Sequence, residues 1–260
     1  MTDEEPTKTK TGVMVATPMR YFGGFNPIHE QFLKDLAALS ADPECPYEFF
    51  ASVVEGGRTW GRCRLVTNFR KMRAQYPNLK WLYHHDDDLD QTAAGLLRLL
   101  SHKRPIVSAM YTTKPIRTNM DATLHWACNF MHEVELQANG LLQVYEAPVG
   151  ALLTHYQLFD LIEASHKEIQ YTDRETGERH QGFFQEVVIE GVPYSEDFLF
   201  SWLVRHTFQQ RPNEEKAGTE DTFIGIGIFI DTQIKLHHCG PDGEWYPKND
   251  EWPPIPIDIP

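Results

Sequence analysis

Asp86, Asp87, Asp88 and Asp90 follow the apolar run Trp81-Leu82-Tyr83 after two histidines. Carboxylates crowded at such a place repel one another unless a cation or a helix dipole offsets their charge. Divalent ions such as Mn²⁺ or Mg²⁺ prefer oxygen ligands and also bridge pyrophosphate oxygens. A solvated acidic loop, with Asp90 capping the next helix, is the plainer reading. Glu196 and Asp197 form a second acid pair after Ser195, where a helix opens. Acids in a first turn complement the helix dipole and need no further role. His237 and His238 follow a late apolar run, and a neutral histidine there can ligate a metal. Between Arg58 and Arg73 stand six cations (Arg58, Arg62, Arg64, Arg70, Lys71, Arg73) and no acid. They read either as a solvated helix face or as a strip that contacts phosphate.

A different metal chemistry is also open. His85 and Asp87 form an HxD pair, as do His84 and Asp86, and His237 or His238 supplies a distal histidine. Two histidines and one carboxylate hold non-haem iron in oxygenases. Those enzymes use a double-sheet jelly roll of many short antiparallel strands. A helix directly after the motif fits that architecture poorly.

The elements that must position these residues alternate along the chain. Gly12 to Thr17, Tyr47 to Val54, Trp81 to His84, Pro105 to Tyr111 and Phe223 to Ile230 are short apolar runs expected as strands. Leu65 to Gln75, Thr92 to His102 and Glu196 to Phe208 have helical periodicity, and Asp90 is placed to cap the second. Alternation of this kind implies an α/β domain with helices on a largely parallel sheet, whose ligands sit at the carboxyl ends of strands. Glu163 to Gly182 is polar and expected as an exposed, mobile excursion.

Composition sets the outer limits. The chain is 41% hydrophobic and 23% charged, which suits a sizeable core. The four cysteines (Cys45, Cys63, Cys128, Cys239) are scattered without CxxC spacing, so reduced thiols and a cytoplasmic setting are expected. A net charge of −13 opposes sequence-independent nucleic-acid binding over the whole surface. No run reaches the ~20 apolar residues of a membrane helix, and the polar start MTDEEPTKTK lacks the apolar core of a signal peptide.

Taken in order, five segments resemble the GT-A fold glycosyltransferases, of the compact kind near the large inverting family that includes many bacterial and phage enzymes. They are GVMVATPM, WLYHHDDDLDQTAAGLLRLLSHKRPIVSAMY, APVGALLTHYQLFDLI, YSEDFLFSWL and IDTQIKLHHCG. The resemblance implies a single domain over residues 11–240 with a mixed, mostly parallel sheet, while the polar start at 1–10 is expected as a flexible tail and the proline-rich 241–260 as a second tail. It implies a DxD motif at Asp86 and Asp88, with Asp87 between, that binds Mn²⁺ or Mg²⁺ and a nucleotide-sugar donor, a UDP-sugar first among them. His238 matches the third metal ligand, Asp197 the general base, and Glu196 its neighbour that orients acceptor or sugar. Thr17, Pro18 and Glu55 fall where the family holds the nucleotide. Arg64 and Asn68 resemble, with altered spacing, an arginine–asparagine pair near the diphosphate. Inverting and retaining routes both remain open, as does a module that binds sugar nucleotide or nucleic acid without catalysis. The cationic strip, interleaved with Trp60, Phe69 and Tyr76, makes a hydroxymethylated pyrimidine in phage DNA one candidate acceptor.

Overall fold

In the computed structural model, residues 9–19, 27–55, 58–113, 125–131, 136–174, 176–210, 227–239 and 244–255 are described. The first half of the chain alternates strictly. Strands β1 (Thr11–Met19), β2 (Tyr47–Glu55), β3 (Leu79–His85) and β4 (Ile106–Tyr111) are separated by helices α1 (Pro27–Ala41), α2 (Arg58–Gln75) and α3 (Ala93–Ser101). Then come β5 (Asn129–Phe130), β6 (Leu141–Glu146), β7 (Ala151–His155) and helix α4 (Tyr156–Ser165). Two small ribbons follow, β8 (Gln170–Thr172) with β9 (Arg179–Gln181), and β10 (Val187–Ile189) with β11 (Val192–Tyr194). Helix α5 (Glu196–Gln210), strand β12 (Ile228–Leu236) and the ribbon β13 (His238–Cys239) with β14 (Trp245–Tyr246) complete the order.

One eight-stranded sheet runs β2-β1-β3-β7-β4-β12-β6-β5. The pairings β1–β2, β1–β3 and β4–β12 are parallel, while β7 runs against both β3 and β4, and β6 against both β12 and β5. So β7 and β6 oppose the other six strands, and the sheet is mixed with one dominant direction. The α/β class expected from the alternation is the class observed. Buried strands such as β1 and β4 are apolar on both faces because helices cover both. Cys63, Val66 and Phe69 of α2 share one core with Leu158, Phe159 and Ile162 of α4 and Phe200, Leu203 and Val204 of α5. Phe32 and Leu36 of α1 pack with Leu96, Leu99 and Leu100 of α3 on the opposite face.

Helix α1 escaped the sequence reading, although Ile28, Phe32, Leu36 and Leu39 carry its helical spacing. Asp90 does not cap α3. That task falls to Thr92, whose hydroxyl accepts a 3.1 Å hydrogen bond from the Gly95 amide. The polar stretch expected as a mobile excursion is largely built structure. Its β8–β9 ribbon docks on α2 through Thr67–His180 at 2.8 Å and a Lys71–Glu178 ion pair. Residues 244–255, expected as part of a tail, fold back onto the domain. Trp252 stacks on Trp126 with centroids 5.5 Å apart, and the Trp126 indole donates to the Pro254 carbonyl. The expected tail residues 1–8 and 256–260 lie outside the described residues, as do 223–226 of the late strand. All four cysteines are free thiols, and no described helix is long and apolar enough to cross a membrane.

Strand β12 is interrupted: Asp231 faces Ala109 of β4, but Lys235 faces the very next residue, Met110. The excursion is pinned from below. Asp231 is fully buried and takes Arg98 Nε at 2.6 Å and His102 Nε2 at 2.7 Å, both from the end of α3. Removing this carboxylate leaves the cation of Arg98 without its anion. Asp231→Ala is therefore expected to lose about 3 kcal/mol of stability in urea unfolding. A loss below about 0.5 kcal/mol would mean the excursion does not depend on it.

Candidate functional site

Parallel strands deliver their carboxyl ends to one edge of the sheet, and the acidic, histidine and acid-pair motifs all arrive there. Asp86 follows β3, and its amide donates 2.8 Å to the Gly150 carbonyl just before β7. The loop after β3 is then zipped to the segment after β12. The Cys239 amide donates to the Asp88 carbonyl at 2.8 Å, and the Asp90 amide to the His237 carbonyl at 3.3 Å. Residues some 150 positions apart in sequence become neighbours through these backbone hydrogen bonds, reinforced by the Asp90 carboxylate, which accepts from the His237 amide at 2.6 Å.

At the centre lies Arg62, on the second turn of α2 and only 1% exposed. Its Nη2 donates to both Asp86 oxygens, at 2.8 and 2.9 Å. Its Nη1 donates to Glu196 Oε1 at 3.2 Å and to Asp197 Oδ1 at 2.9 Å. Burial opposes its charge, yet Asp86, Asp197 and Glu196 together hold the guanidinium protonated above its ordinary range. Burial pushes Asp197 up to about 6, against the pull of Arg62, with Glu196 and Asp86 adding repulsion. Asp197 is also the most open member, with 24% of its side chain exposed. Tyr111, at the end of β4, lines the same cluster. Its hydroxyl accepts the Gly150 amide at 2.8 Å, and burial drives its pKa well up.

Beside this cluster His238 meets Asp88. The His238 Nδ1 donates to the Thr112 carbonyl at 3.1 Å. A neutral ring donating there turns its Nε2 lone pair outward. That nitrogen is buried, makes no hydrogen bond, and lies 3.3 Å from Asp88 Oδ1. Two electron-pair donors at that separation suit adjacent positions on one cation, since octahedral ligands at about 2.1 Å sit about 3 Å apart. Among the described residues no three His, Cys, Asp or Glu side chains already converge as a metal cage. Asp88 and His238 thus fit a divalent ion as a pair, while Asp86 is engaged by Arg62.

The other expected residues are placed as follows. Thr17 and Pro18 end β1 and are buried, and Thr17 Oγ1 is 3.4 Å from His29 Nε2. Glu55 ends β2 opposite Met19 at the same sheet edge. Asp87 is partly exposed in the turn after β3. Arg64 and Asn68 lie about 200° and 240° round α2 from Arg62. They are turned away from the carboxylates, and Arg64 acts on Tyr171 and Glu178 of the β8–β9 region. Arg64 and Asn68 therefore do not join the carboxylate cluster, whose cation is Arg62. Its signal was the spacing: Arg62 shares the apolar stripe with Leu65, Val66 and Phe69, where an arginine has no place without an anion.

Much of the cationic strip is engaged within the fold. Arg70 pairs with Asp160 and Glu163, Lys71 with Glu178, and Arg73 donates to the Leu79 carbonyl and covers the Tyr156 ring. Among the described residues the iron triad does not assemble. His84 packs edge-on against Phe184, whereas His85 lies on the opposite face of β3 against His29, Phe32 and Tyr83. Burial lowers both to about 3, as cations find no room there. His237 is held by Asp90 at 2.7 Å and Asp250 at 2.8 Å, and the sheet is not a jelly roll.

No protein-family model matches the chain, and no curated protein is significantly similar to it. Solved structures with a similar course include A197 from STIV, 12% identical over 94% of this chain and 97% of that one, with a TM-score of 0.46. They also include a glycosyltransferase involved in the glycosylation of the major capsid of PBCV-1, 8% identical over 60% of this chain and 67% of that one, with a TM-score of 0.30. At these levels no residue role carries across, and the site must be read from its own geometry.

Gly150 offers a direct check on that geometry. A Cβ built there falls 2.6 Å from the Tyr111 hydroxyl and 2.9 Å from Asp86 Oδ2. Gly150→Ala is expected to cost about 1–3 kcal/mol in chemical denaturation. Tyr111→Phe, by deleting the nearest oxygen, should restore part of it in the double variant. Strict additivity of the two changes would mean they do not meet.

Proposed function

We propose that the protein is a metal-dependent glycosyltransferase of the GT-A type, moving a sugar from a nucleoside-diphosphate donor to an acceptor hydroxyl. The observation that carries this reading is the convergence, at the carboxyl edge of one α/β sheet, of an acidic motif after β3, an acid pair opening α5 and a histidine after β12. The resemblance seen in the sequence uses the same three parts in the same order. A sugar nucleotide leaves as a diphosphate, whose developing charge must be met by cations. Asp88 and His238 would hold a Mn²⁺ or Mg²⁺ ion, which supplies neutralisation of that leaving group. Arg62 provides a second, permanent positive charge beside it.

Asp197 takes the part of general base. Its side chain is the most open of the cluster, which gives an acceptor hydroxyl its approach. As the acceptor oxygen bonds to the anomeric carbon, the bond from that carbon to the diphosphate breaks, and the hydroxyl proton passes to Asp197. A base pushed up to about 6 matches near-neutral operation. Glu196, turned onto the same Arg62 nitrogen, helps hold the acid pair in place. Thr17, Pro18 and Glu55 at the ends of β1 and β2 would frame the nucleotide, with a UDP-sugar the first donor to try. The acceptor belongs to the class of alcohols. A modified base in DNA has less support, since Arg62, Arg70, Lys71 and Arg73 are engaged within the fold.

With Mn²⁺ and the right nucleotide sugar, slow release of nucleoside diphosphate is expected without any acceptor, and Asp88→Ala and His238→Ala should abolish it. Donor binding without release or transfer would instead indicate a non-catalytic module. Asp197→Asn should bind donor normally but transfer about 10²–10⁴-fold more slowly. The wild-type rate should fall tenfold per unit as pH drops below about 6, because the base is then protonated. A rate independent of pH from 4 to 7 would remove Asp197 from that role.

A further inference from the structure

Arg62 is bound as a counter-ion, not as a core residue. Four of its hydrogen bonds go to three carboxylates, and Nε–H, also buried, has no hydrogen-bond partner. One guanidinium thus faces three acids, which leaves the cluster short of positive charge. A buried Arg–carboxylate cluster gives little net stability against a well-packed apolar one. Asp86 commits both its oxygens to the single nitrogen Nη2. A metal ion drawing on Asp86 must compete with that nitrogen. A diphosphate offers Arg62 the one kind of anion that matches its planar fork as well as a carboxylate does.

We propose that Arg62 is an exchangeable internal cation that couples diphosphate binding to metal binding. In the free protein it bridges Asp86, Glu196 and Asp197. When a diphosphate arrives, Nη2 and the unused Nε–H turn to its oxygens and Asp86 is released toward the ion held by Asp88 and His238. Glu196 and Asp197 stay tethered through Nη1, so the base keeps its position during the exchange. The inference rests on the transferase reading and adds to it an order of events. Neither ligand alone obtains the full site, and each makes room for the other. Such coupling is reciprocal and typically amounts to 5–150-fold.

The test is calorimetric titration of three proteins with Mn²⁺ alone, with UDP alone in chelator, and with both. The wild type should bind Mn²⁺ weakly alone and at least about tenfold more tightly with UDP. Arg62→Gln should bind Mn²⁺ alone more tightly, because Asp86 is free, and metal-free UDP more weakly. Asp86→Asn should do the reverse with UDP, binding it about tenfold more tightly without metal because the guanidinium is already loosened. An arginine that merely supports the fold would weaken both ligands when replaced, and Asp86→Asn would leave metal-free UDP unchanged. Either result overturns the exchange. Should Arg62→Gln fail to fold, Asp86→Asn decides by itself, since it retains the guanidinium with its two α5 partners. If UDP, GDP, ADP, CDP and TDP all fail to bind the wild type with Mn²⁺ present, the transferase reading falls and the exchange with it. Binding that is unaltered in the variants sinks the exchange alone.

Discussion

A single guanidinium ties together acids from parts of the chain that otherwise meet through the apolar core beneath them. Arg62 comes from α2, Asp86 from the end of β3, and Glu196 and Asp197 from the first turn of α5. Each acid on its own would be repelled from the others, and Arg62 on its own could not be buried. Together they fix where the two helices stand over the sheet edge. The pKa of Asp197 follows from this arrangement: burial raises it, Arg62 restrains the rise, and the balance settles at about 6. The chemistry assigned to the site is a consequence of that unequal charge balance.

The sheet supplies the second constraint. Strand β7 runs against β3 and β4 and so begins at the edge where they end, placing Gly150 between the Asp86 carboxylate and the Tyr111 hydroxyl. No larger residue fits without moving one of them. On the far side, backbone hydrogen bonds between the loop after β3 and residues 237–239 set His238 against Asp88. The folded-back segment 244–255 reinforces this wall. His237 is clasped by Asp90 and Asp250 and lies against Trp252. Burial opposes its charge, but the two acids prevail and raise its pKa.

Much of this was legible because hydrophobic runs and acid spacing are local signals. The strands before Asp86 and after Pro105, and the helix opened by Glu196, follow from apolar periodicity read a few residues at a time. Long-range pairing is what the sequence conceals. The apolar stripe that Arg62 shares with Leu65, Val66 and Phe69 separates it from Arg64, but nothing local says which acids it meets. Asp90 looked like a cap because an acid precedes a helix; its partner, His237, lies 147 positions away. The strip of cations seemed available because its anions, Asp160, Glu163 and Glu178, stand on elements a hundred residues further on. The antiparallel course of β7 was equally hidden, since an apolar run carries no direction.

The central claim is that Asp88 and His238 present one carboxylate oxygen and one imidazole nitrogen to a divalent ion that also carries the donor diphosphate. Electron spin-echo modulation of Mn²⁺ bound with UDP measures both contacts at once. The account predicts phosphorus coupling from the diphosphate together with nitrogen coupling from a single imidazole, the latter lost in His238→Gln. Bound Mn²⁺ with phosphorus coupling but no nitrogen, or nitrogen coupling that survives His238→Gln, would contradict it.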